Sequence, residues 1–125
     1  MSTEEQQSIM DLSFYTGTWI NTYEKARVIG SVTITEEYGK IMIAPTSSEV
    51  GYYKGEWGKS ELKPHAYAPD KKDIVGFRAH FDLEGIEGFL AMNENKGLLI
   101  IAGFFGLREG GNQSDFFVRE FFYKL

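Results

Sequence analysis

The sequence predicts an all-β fold: an antiparallel meander closed into a small up-and-down barrel of about eight strands. Three observations predict it. Short runs rich in apolar and aromatic residues are separated by turn clusters of Gly, Asn, Asp and Pro. No long helical period lies between these runs, and parallel pairing needs long crossovers, so neighbouring strands run antiparallel. Gly17-Thr18-Trp19 opens the first run and Arg119 lies in the last, where a closing sheet brings its two ends together.

Composition agrees with one compact domain over residues 1–125. Hydrophobic residues make up 42% and charged residues 25%, enough to build a single core without the bias of a disordered chain. Aromatics reach 15%, with ten Phe and seven Tyr, and such side chains suit a pleated, half-buried surface. The chain has no Cys, which removes disulfides, thiolate metal sites and Cys nucleophiles. A net charge of −5 argues against a nucleic-acid surface. The longest apolar run, Leu98 to Leu107, is far short of a membrane helix. With neither a basic start nor an apolar leader at the N-terminus, the expectation is a cytoplasmic protein without a membrane partner.

The elements follow in order. Thr3 to Met10 is the one helical candidate, with Ser2 as cap and Glu5 as its capping-box partner. Residues 1–12 are expected to form a loose or helical segment that plugs one barrel end through Ile9, Met10, Leu12 and Phe14. Strands are expected at Thr16 to Tyr23, Val28 to Glu37, Lys40 to Ser47, Val50 to Gly58 and Leu62 to Ala68. Pro64 cannot donate to a ladder and belongs at an edge or bulge. Further strands are expected at Ile74 to Asp82, Ile86 to Met92, Leu98 to Leu107 and Asp115 to Lys124. Tyr38-Gly39, Leu83-Glu84-Gly85, Asn93 to Gly97 and Glu109 to Gln113 supply tight turns between them.

Gly17, Trp19 and Arg119 resemble a pattern of the calycin superfamily: lipocalins, fatty-acid-binding proteins and avidins. There a Gly-x-Trp begins the first strand, and an Arg or Lys of the last strand packs over the Trp. Thr18 and Asn21 extend the likeness toward avidins, whose first strand carries Gly-Thr-Trp-x-Asn. The span from Asn21 to Ser31 is longer than the matching avidin turn, and Trp57 is the one other Trp, so biotin binding is not implied. The resemblance implies a barrel with one interior ligand and a barrel-closing pair of Trp19 and Arg119. A guanidinium over the indole face would contribute about 0.5–2 kcal/mol.

Phase then assigns faces, because residues two apart in a strand point the same way. With Trp19 and Arg119 inward, Asn21, Tyr23, Phe117, Phe121 and Tyr123 point inward too, and Phe116, Val118 and Phe122 point outward. Arg78 and His80 share one face of their strand and are taken either as solvated or as inward polar groups. The expected ligand-binding set is Asn21, Tyr23, Arg78, His80 and Tyr123. Tyr52, Tyr53 and Trp57 are expected to pack in a core or interface, or to line a pocket mouth. An apolar outward strip, together with Leu98 to Leu107 apolar on both faces, points to a homo-oligomer through the C-terminal strands.

Catalytic signals are weak. His65 and His80 are the two histidines, and no Gly-x-Ser-x-Gly elbow exists. No metal and no cofactor are expected. The functional expectation is therefore a barrel that binds a small apolar or aromatic molecule in its interior. An enzyme of cyclase or isomerase type, with Arg78 or His80 polarising the substrate, and a filled structural barrel without ligand are the alternatives.

Overall fold

The computed structural model of the protein describes residues 12–48, 55–108 and 114–125. A 3-10 turn, Leu12–Phe14, precedes nine strands: β1 (Gly17–Asn21), β2 (Ile29–Glu37), β3 (Lys40–Ser47), β4 (Ser60–Glu61), β5 (Lys63–Ala66), β6 (Ile74–Leu83), β7 (Ile86–Asn95), β8 (Leu98–Leu107) and β9 (Phe116–Lys124). All pairings are antiparallel, in the order β4-β3-β2-β1-β9-β8-β7-β6-β5. No helix among the described residues is long and apolar enough to cross a membrane.

The sheet is a nearly closed barrel. The two outermost strands, β4 and β5, are successive halves of one short segment joined at Leu62. Its first half pairs with β3 and its second with β6. Leu62 donates its amide to Ile41 and buries its side chain, and Ser60 Oγ donates to the His80 carbonyl at 2.7 Å. This segment is the seam of the barrel. Pro64 sits in its second half, beside a bulge at His65/Ala66.

Local chemistry sets the turns. Tyr38 and Gly39 have φ of 53° and 80°, and Lys96 and Gly97 have 54° and 86°. Two consecutive left-handed residues form the tight hairpin turn whose twist matches that of its strands. The strands β3 and β8 run as the sequence predicts, whereas β7 continues through Asn95 before turning. The expected strand Val50 to Gly58 survives among described residues as an isolated bridge, Thr46 to Glu56. The expected helix Thr3 to Met10, with Ile9 and Met10, lies outside the described residues, as do Tyr52 and Tyr53.

One end of the barrel is plugged. Leu12 and Tyr15 pack against the core, and the Trp19 indole N–H donates to the Tyr15 carbonyl at 2.9 Å. The indole is fully buried yet keeps a hydrogen-bond partner, which removes the penalty of an unmet buried donor. The cation over it is Lys124, not Arg119. Lys124 Nζ lies 5.8 Å from the Trp19 ring centre and donates to the Phe14 carbonyl at 2.9 Å. Gly17 has φ of 129°, a conformation that residues with a side chain rarely adopt.

Arg119 points to the outside, its guanidinium 5.1 Å from the Phe121 ring. The expected phase of β9 is thus inverted. Phe116, Val118, Glu120 and Phe122 face the interior, and Phe117, Arg119, Phe121 and Tyr123 face out. The terminal strands do meet as expected, Trp19 opposite Lys124 and Asn21 opposite Phe122. The interior is a contiguous apolar core in which Trp19, Val32, Ile43 and Leu99 are wholly shielded. Mid-barrel packing therefore leaves no water-sized gap against these side chains.

Candidate functional site

Strand lengths create the site. β1 ends at Asn21 and pairs with only the far half of β9, so Phe116 to Glu120 have no β1 neighbour. The chain between β1 and β2 bends over that end instead, with Ala26 and Val28 buried. Asn21 braces the bend: its side-chain amide donates to the Ile29 carbonyl at 2.9 Å, and its side-chain oxygen accepts from the Tyr23 amide at 2.8 Å. Inward-facing side chains on the middle of the other long strands are buried, but Phe116, Val118 and Glu120 are only half-buried. The inner face of β9 is thus the least covered part of the interior, at the end opposite the 3-10 turn.

Aromatic rings pack around this face. Phe116 stacks on Phe105 at 4.8 Å, and Trp57 meets Phe105 and Phe81 edge-on at 5.8 and 5.6 Å. The Trp57 indole N–H donates to the buried Ser47 hydroxyl at 2.8 Å, so this ring too is pinned. The Phe105 ring fits only because two neighbours lack side chains. A Cβ on Gly103 or Gly88 would come within 2.6 or 2.9 Å of it.

Glu120 is the ionisable group of this apolar wall. Burial pushes its carboxyl above the usual carboxylate range, and hydrogen bonding with Asn21 only partly offsets this. A raised folded value means that folding favours the protonated form. The stabilising effect is complete below the unfolded value and is lost as pH rises through the folded one. Glu120→Gln is therefore expected to melt higher than wild type at neutral pH and equally at about pH 4. Equal melts at both values would show that Glu120 is fully solvated. Tyr15, in the plug, is likewise raised, by burial first and by the nearby Glu94 charge second, and stays protonated.

The expected ligand set divides. Asn21 faces inward beside Glu120, with which it hydrogen-bonds. Tyr23 and Tyr123 are exposed and, with Asn21, line an outer hollow of about 530 Å³ beneath the β1–β2 connection. Arg78 and His80 face outward, on the face opposite Phe77, Ala79 and Phe81. Arg78 Nε donates to His65 Nε2 at 3.0 Å, and His80 Nε2 contacts Glu87 Oε2 at 2.8 Å. These two side chains cannot orient an interior ligand, because the pleat puts Phe77 and Phe81 there instead. Glu120 was missed by phase alone: its signal is a lone acid at the same parity as Phe116, Val118 and Phe122.

Comparison of the chain with models of known families, with curated proteins and with solved structures finds no match.

Proposed function

We propose that this chain is a calycin-like binding protein that takes one small apolar or aromatic molecule onto the half-covered inner face of β9. The observation that carries this reading is the half-buried inward face Phe116–Val118–Glu120, an apolar surface with one carboxyl at its base. Binding sites of this kind combine apolar walls with a few polar groups that fix orientation. The Phe116 ring and the Val118 side chain supply area, and Glu120 with Asn21 receives a hydrogen-bond-donating or basic group of the ligand. The tight mid-barrel core limits penetration, so the ligand is small and stays near the end opposite the 3-10 turn.

Native mass spectrometry of protein purified from its host tests this. The expected result is a retained small molecule, lost in Val118→Trp, which covers that face while leaving the plug intact. Absence of any retained molecule, together with no thermal shift across a library of small aromatic amines and acids, would refute it. That outcome would support a filled structural barrel, a reading favoured by the complete shielding of Trp19, Val32 and Leu99.

A further inference from the structure

The outer face of β6 to β9 is built in three rows. The register places His80, Phe89, Phe104 and Phe117 side by side across the four strands. All four are exposed, Phe89, Phe104 and Phe117 by 51, 56 and 53%. His80 lies 4.7 Å from Phe89, and Phe104 lies 4.9 Å from Phe117, so the row is a continuous ring-lined ridge. A contiguous exposed patch of this kind marks an interaction surface.

The flanking rows differ in their charged side chains. On one side Arg78 and Arg119 stand at the two ends, with Ala91 and Ala102 between them. Neither arginine has a carboxylate within ion-pair distance among the described residues. Together they border a hollow of about 370 Å³ floored by the two alanines. On the other side of the ridge stand Asp82, paired within the chain to Arg108, and Glu87, paired to His80, so a dimer contact must exchange or share these exposed pairs. Each flanking row lies two residues, roughly 7 Å, from the ridge along the strands.

This pattern is self-complementary. A two-fold axis lying in the face along the aromatic ridge keeps position across the strands and inverts position along them. It sets ridge against ridge, Asp82 of a second copy against Arg78, and Glu87 of a second copy over the space above Ala91. We infer that the chain forms an isologous dimer through this outer face, with Phe104 near its centre. Two-fold dimers use one patch on both subunits, with aromatic residues and Arg enriched at the contact. The dimer face lies on the outer side of β9 and the proposed binding face on its inner side, so the two are independent.

Light scattering of the full chain is expected to give twice the 14.2 kDa chain mass. Phe104→Glu is expected to give the chain mass with an unchanged circular dichroism spectrum, since the side chain touches no core residue across the sheet. Arg78→Glu and Asp82→Lys are each expected to weaken the dimer about tenfold or more, and the double variant to recover most of that loss. A monomer at all concentrations overturns the inference, whether the face is then covered by the N-terminal segment or takes a small anionic probe such as anilinonaphthalene sulfonate. So does a dimer that persists in Phe104→Glu, or a double variant that folds and stays monomeric.

Discussion

Trp19→Ala is expected to destabilise the barrel by about 3–5 kcal/mol, a large share of the roughly 5–15 kcal/mol that holds a typical domain together. The indole is fully buried, fills the plugged end and supplies the one donor that the Tyr15 carbonyl receives from it. Its loss leaves a cavity between the 3-10 turn and the core, and neighbours fixed by strand pairing cannot collapse into it. Urea unfolding measures the effect, and a loss under about 1 kcal/mol would mean that the plug is not part of the cooperative unit. A graded companion separates the two candidate cations. Lys124→Ala is expected to cost about 1 kcal/mol through its contacts with Trp19 and Phe14. Arg119→Ala, measured in the monomeric Phe104→Glu background, stays within about 0.5 kcal/mol of its parent. A reversal of that order would restore Arg119 to the closing role.

Leu62→Ala is the second large effect, at about 2–5 kcal/mol. Leu62 is the point where one short segment leaves β3 and joins β6, and its side chain is buried at that junction. Two barrel neighbours depend on it, so the cavity lies at the place where the sheet has fewest hydrogen bonds. Amide exchange is expected to accelerate first at Ser60 to Ala66 and at the facing residues of β3 and β6. Uniform acceleration over the whole barrel would show instead that the seam opens only with global unfolding.

The sequence made the architecture legible because turns and strand lengths are local. Tyr38-Gly39 and Gly97 mark hairpins by chemistry alone, and Leu98 to Leu107 is bounded by such signals. Facing direction was less legible where both faces of a strand are apolar. In Phe116 to Tyr123 aromatic residues occupy both parities, so a period of two fits either phase. The lone Arg was an attractive partner for Trp19, but register decides: Lys124 is the residue opposite Trp19, and Arg119 lies opposite Ala102 on the outer face. That inversion moved Tyr123 out and Glu120 in. In Ile74 to Leu83 the alternation is clean, and the more apolar set, Phe77, Ala79 and Phe81, faces the core. The half-covered inner face of β9 was invisible, because it comes from β1 stopping short of β9, a mismatch between segments far apart in the chain.

The same long separation governs how the molecule is made. The opening strand finds β2 at once, yet its other neighbour is the final strand, and Leu125 donates its amide to Thr18. Until β9 has left the ribosome, Trp19 has no lysine above it and β8 has an unpaired border rich in phenylalanine. Such late, non-local closure makes for slow maturation and an aggregation-prone nascent chain. Yield in the cell should therefore depend on chaperone supply during synthesis more than on the stability of the finished barrel.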